Sequence, residues 1–160
     1  MSDKLLAVSA ACLAAALALT QVPAEAATDD AASAVRARQA AFMLSAATFG
    51  SMKPVIDAGG DVSGLQFGAR ALARWARAIP DAFPAGSGKQ AGVPTRALPL
   101  IWSERQGFDQ AAADYADAAD KLADAAKAND KVAFAAQWNA VRQSCSSCHD
   151  RYREPEPPRK

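Results

Sequence analysis

The sequence predicts an all-α chain folded as an antiparallel four-helix bundle, with a long loop between helices two and three. Three observations carry that prediction. Four segments place apolar residues at alternating intervals of three and four, the spacing of one helix face. No segment shows the two-residue alternation of a half-buried strand. Residues 80–102 hold Pro80, Pro84, Pro94 and Pro99 with Gly86, Gly88 and Gly92, which favours a crossover loop over an element. Short end connections elsewhere make consecutive helices antiparallel neighbours.

Helix one is expected over residues 31–56, with Val35, Phe42, Ala46, Phe49 and Ile56 on one stripe. Arg38 fills the turn between Val35 and Phe42, and a basic residue on a core stripe needs a partner. Pro54 bends the last turn and Gly59-Gly60 ends it. Helix two, residues 62–79, places Val62, Leu65, Ala69, Leu72, Ala76 and Ile79 inward and stops at Pro80. Phe67 and Trp75 fall off that stripe, which reads as a subunit interface or as packing under the crossover loop. Ser103 opens helix three, with Gln106 completing a capping box, and its stripe is Phe108, Ala112, Tyr115, Ala119, Leu122 and Ala126. Asn129-Asp130 makes a turn in which Asp130 caps the last helix. That helix, residues 131–153, carries Phe134, Trp138, Val141, Cys145, Cys148 and Tyr152 on one stripe, so both cysteines point at the core. Glu154-Pro155-Glu156-Pro157-Pro158 ends it and reads as a short mobile tail.

At 160 residues, 51% hydrophobic and 22% charged, the chain fits one globular domain. A formal net charge of +1, with no clustered Lys or Arg, points away from nucleic acid and anionic membranes as partners. Residues 1–26 read as a cleaved secretory signal: Lys4, an apolar run from Leu5 to Leu19, then Ala24-Glu25-Ala26 as a small-x-small cleavage site. The run is short against the roughly 20 residues of a membrane span, so no anchor is expected after cleavage. The functional domain is then residues 27–160, exported to the periplasm. Cys12 leaves with the leader, and the mature chain keeps only Cys145 and Cys148.

Cys145-Ser146-Ser147-Cys148-His149 has the spacing of c-type haem attachment. One helical turn separates the two sulfurs on one face, which suits two thioether bonds along one porphyrin edge. His149, about 100° round the helix from Cys148, reaches toward the iron as axial ligand. Zinc wants four ligands, and the mature chain has two cysteines and one histidine in all. A thioredoxin-like pair belongs with a parallel sheet, and a disulfide spanning i to i+3 closes a loop of little stabilising value. One covalently attached haem c, with its iron on His149, is the reading that uses all three residues.

With Cys145-Ser146-Ser147-Cys148-His149-Asp150-Arg151-Tyr152-Arg153 at the end, Arg38-Gln39 in helix one and Ile101-Trp102-Ser103 before helix three, the chain resembles the cytochrome c prime family. These are four-helix bundles with haem near the C-terminus. The resemblance implies that Phe42, four residues after Arg38, sits over the open iron face, where relatives more often carry Leu or Met. It implies a five-coordinate haem, with His149 below and an apolar wall above. It further implies that Arg38 pairs with a haem propionate, that Trp102 lies against the haem and that Arg153 tunes the proximal side. Each has a plainer alternative: a core aromatic, a snorkelling surface arginine, a loop anchor and a helix C-terminal cation. Tyr152 reads as packing with its hydroxyl at the haem edge or in water.

The expected function is capture of nitric oxide, carbon monoxide and similar small gases without turnover chemistry, so not an enzyme. Electron transfer with a redox partner protein accompanies it as a secondary role, since even a five-coordinate haem can pass electrons, and the resemblance implies a homodimer through helices one and two. The competing function is a low-spin electron carrier in which Met43 supplies the sixth ligand. Met43 adjoins Phe42 but points about 100° away from it on a helix.

Overall fold

The computed structural model describes residues 24–156, and the secretory-leader reading, Cys12 and the Pro157-Pro158 end of the tail fall outside them, apart from Ala24-Glu25-Ala26. The chain is helical as expected: α1 Ala24–Ser51, α2 Lys53–Asp57, α3 Gln66–Ala78, α4 Leu100–Ser103, α5 Arg105–Lys127 and α6 Lys131–Tyr152. The four long helices, α1, α3, α5 and α6, make the bundle. No helix among the described residues is long and apolar enough to cross a membrane.

Pro54 separates α1 from α2, because it has no N–H to continue the ladder. Gly59, at φ 60°, ends the pair in the left-handed region. Helix two begins as a single 3-10 turn, Ser63–Leu65, before α3. At the opposite turn Asn129 takes φ 51° and its Oδ1 accepts from the Val62 N–H at 3.0 Å, pinning the start of this helix to the end of α5. Asp130 caps α6, its carboxylate accepting from the Ala133 N–H at 2.9 Å. Asp130→Ala therefore costs about 1 kcal/mol of stability by chemical denaturation, and Asp130→Ser restores most of it.

Alanines and a few large side chains fill the core: Leu72, Phe108, Leu122, Phe134 and Val141 are all buried. On helix one the inward row is Ala31, Val35, Arg38, Phe42, Ser45, Phe49 and Met52. Ala46, expected on that row, is exposed. Small residues let α1 and α3 approach: a Cβ on Gly68 would stand 3.1 Å from Met52 Cε and 3.2 Å from Thr48 Cγ2.

Three further expectations change. Ser103 closes the short α4 instead of opening helix three, since Glu104 leaves helical geometry at φ −117°, ψ 46°, and no side chain caps α5. Residues 80–102 are not structureless: 3-10 turns at Pro80–Ala82 and Lys89–Ala91 and the start of α4 lie within them. The tail is pinned through residue 156. Glu154 N–H donates to the Arg96 carbonyl at 2.8 Å, Lys89 pairs with Glu154 at 2.6 Å and Arg96 with Glu156 at 3.0 Å.

Around the bundle α1 packs on α3, α3 on α5 and α5 on α6. The fourth side closes only at one end, where α2 touches α6. No Cα of α1 lies within 8 Å of a Cα of α6, although packed helix axes stand only about 8–10 Å apart.

Candidate functional site

α6 brings the thiols and the imidazole to that open seam. Cys145 and Cys148 are not joined to each other, and both are half-buried and packed against the core. Burial pushes both up, Cys148 to about 11, with the neighbouring Cys145 adding to the rise and Arg153 opposing it. Burial, then the charge of Arg153, holds His149 below its ordinary value despite Asp150, so its imidazole is neutral, the form that ligates a metal.

Across the seam stand the side chains of α1. The Phe42 ring faces His149 with centroids 6.3 Å apart. One turn on, Ser45 Oγ meets Tyr115 Oη from α5 at 3.0 Å. A turn further, Phe49 stacks on Trp138 at 4.5 Å, and the Trp138 indole donates to the Phe49 carbonyl at 3.2 Å. Side chains, with the Phe49 carbonyl, thus bridge α1 and α6, and the bridge spans the stretch that carries Cys145, Cys148 and His149.

Trp75 lies beside Phe42, ring centroids 5.0 Å apart and edge to face. Its indole nitrogen is buried with no hydrogen-bond partner among the described residues, as is the Tyr152 hydroxyl. Trp75 is thus part of the site and not the exposed aromatic its off-stripe position suggested. Phe67 is the exposed one, at 82%.

The crossover loop closes the end of the seam. Arg38, buried at 3% exposure, sends Nη1 to Ser87 Oγ at 2.7 Å and the Ala82 carbonyl at 3.3 Å. Its Nη2 donates to the Ser87 carbonyl at 2.6 Å and Thr95 Oγ1 at 3.2 Å. Burial lowers this guanidinium to about 10, which leaves it charged at neutral pH. The same group lies 4.1 Å over the Phe83 ring, and Phe83 in turn touches Phe42, Trp102 and Phe108. The core-stripe arginine finds its partners in the loop, and it is no surface residue. Trp102 donates its N–H to the carbonyls of Phe83 and Pro84 at 3.2 and 3.1 Å, which makes it an anchor of the same loop. Arg153 is exposed where α6 ends, and its backbone pairs with Ala97.

Contacts thus link His149 to Phe42, and Phe42 through Phe83 to Arg38, on the side of α6 that carries Cys145 and Cys148, with Trp102 one aromatic step behind Phe83 and Arg153 beside His149 and Cys148 through its charge. Phe83, Ser87, Thr95 and Ser45 escaped the sequence reading. A lone phenylalanine between Pro80 and Pro84 was the available signal, since a loop spends an aromatic ring only where it docks. The residues fit a flat haem: two thiols one turn apart and a neutral imidazole from one helix, facing a seam that the backbone leaves wide.

Comparison with known proteins agrees with this arrangement. The profile of the family described as cytochrome c' matches residues 33–153. The chain is 36% identical over 69 residues to cytochrome c' of Rubrivivax gelatinosus, a match covering 43% of this chain and 54% of that protein. It thus spans about half the length of the curated relatives it matches. Solved structures align more fully. The nitric oxide complex of a Leu-to-Ala variant of cytochrome c prime from Alcaligenes xylosoxidans is similar at 32% identity and TM-score 0.69, over 78% of this chain and 95% of that one. A carbon monoxide complex of a Leu-to-Gly variant from the same organism gives 32% and 0.68, over 76% and 94%.

Proposed function

Because the chain belongs to the cytochrome c' family and carries haem c on Cys145 and Cys148, we propose that it binds nitric oxide and carbon monoxide on an iron ligated by His149 alone. The observation that carries this reading is the Phe42 ring facing His149 across the open α1–α6 seam. When bound, the haem supplies a Lewis-acidic iron that takes small diatomic ligands. Neutral His149 offers a lone pair from the α6 side. Phe42 on the other side presents only carbon and hydrogen, so it can neither ligate nor donate a hydrogen bond to an incoming gas. Selection then rests on size and polarity: a small uncharged molecule displaces the ring, and dioxygen gains no polar stabilisation from it. The nitric oxide and carbon monoxide complexes of the similar cytochromes support the same ligand class.

Arg38 would hold a propionate through its Nε–H, the donor the loop leaves over, and Arg153 would tune His149 by its charge. Trp102 would meet the haem only through the face not turned to the loop. Met43 is 74% exposed and points away from the seam, which weighs against the low-spin carrier. Met52 is ten residues from Phe42, about 15 Å along the helix, and packs against Gly68. Export to the periplasm rests on the leader-like residues 1–26, and a dimer through helices one and two on the exposed Met43, Leu44 and Phe67. Electron exchange with a redox protein is proposed as a secondary role, and no turnover chemistry is assigned.

The test is the optical spectrum of the purified holoprotein, oxidised and reduced. A high-spin pattern without a methionine-to-iron charge-transfer band is expected. A low-spin pattern with that band would place a methionine on the iron and make the chain an electron carrier.

A further inference from the structure

Phe42 does not stand free over the seam. Trp75 from α3 meets it edge to face at 5.0 Å with planes 85° apart, and Phe83 from the crossover loop meets it at 6.4 Å and 62°. Phe83 cannot retreat easily. Arg38 covers one face at 4.1 Å, Phe108 packs against it at 5.0 Å, and its backbone carbonyl accepts from the Trp102 indole. Trp75 is held in another way. Its neighbours Leu72, Ala73 and Ala76 are core residues, which fixes the root of its side chain on α3.

We propose that Trp75 is a positioning residue that sets how readily Phe42 leaves its place opposite His149, with Phe83 as the fixed second wall. Trp75 touches neither iron nor gas. It acts by stabilising the closed position of Phe42, so each ligand that displaces the ring also breaks the Trp75 contact. The inference rests on the reading of Phe42 as a steric gate and names what governs that gate. It also gives the crossover loop a part in ligand access, because the Arg38 clasp on Ser87 and Thr95 holds the loop that presents Phe83.

The experiment is a double-mutant cycle in the ferrous holoprotein: Phe42→Ala, Trp75→Leu and both together, with carbon monoxide association followed by stopped flow. Trp75→Leu alone is expected to speed association by several-fold and up to about tenfold, the scale of an aromatic pair contact. In the Phe42→Ala background the same change is expected to leave the rate within about twofold. Equal acceleration in both backgrounds, or none in either, overturns the proposal. If Phe42→Ala itself leaves the rate unchanged, the gate reading fails first, and that arm is read separately. Guanidinium unfolding of the same four proteins gives a readout independent of gas binding. Non-additive losses of stability support contact between the two rings in solution, and additive losses overturn it. Trp75→Phe covers the case of a poorly folded leucine variant. It keeps a ring against Phe42 and is expected to retain the slow rate, so full acceleration by Trp75→Phe also counts against the proposal.

Discussion

Phe42→Ala speeds carbon monoxide binding to the ferrous protein by about tenfold or more, the equivalent of at least ~1.4 kcal/mol off the barrier. The ring stands opposite His149 at 6.3 Å, and on the proposed reading the gas has to take its place. Displacing it costs the edge-to-face contact with Trp75 and the contact with Phe83. Truncation to Ala removes those costs before the gas arrives. Association is the informative quantity, because a steric gate acts on entry. Flash photolysis or stopped flow measures it directly, and an unchanged rate would remove Phe42 from the ligand face. Phe42→Leu keeps an apolar wall with a smaller side chain and is expected to fall between the two.

Cys145→Ala combined with Cys148→Ala makes all of the haem extractable into acid acetone, where the unaltered protein keeps it on the polypeptide. The two half-buried cysteines are the attachment points, and sulfurs one turn apart on α6 can each add to one vinyl group. Either single variant retains one thioether and so retains haem after extraction. The double variant is also expected to lose stability, since α1 and α6 make no backbone approach within 8 Å and a ligand held only by the folded chain stabilises it. Haem retained on the double variant after extraction would mean that attachment does not run through these cysteines.

Regular features were legible in the residue order because they depend on local spacing. Alternating threes and fours placed Phe108, Ala112, Tyr115, Ala119, Leu122 and Ala126 on one face of α5, and all six are buried. Asp130 was recognisable as a cap because its role involves residues three positions away. Ser103 was misread for a related reason. Its capping-box spacing is locally sound, but the chain needs a separate turn at Leu100–Ser103 to bring Ile101 into the core. Ala46 gave way to Ser45 because two adjacent small residues suit either face, and only Tyr115 on another helix decides between them.

By itself the sequence determined an all-α bundle and the residues that hold the cofactor, since Cys145, Cys148 and His149 lie within a single turn or so of one helix and need no distant partner to be recognised. Everything that surrounds them was decided by tertiary structure. Arg38 and Ser87 are 49 positions apart, Phe42 and Trp75 lie on different helices, and Phe83 lies in a loop with no periodicity. Helical spacing constrains neighbours three or four residues away. Long-range partners are chosen by which faces can be buried together and which polar groups then find acceptors, and that exists only in the folded chain.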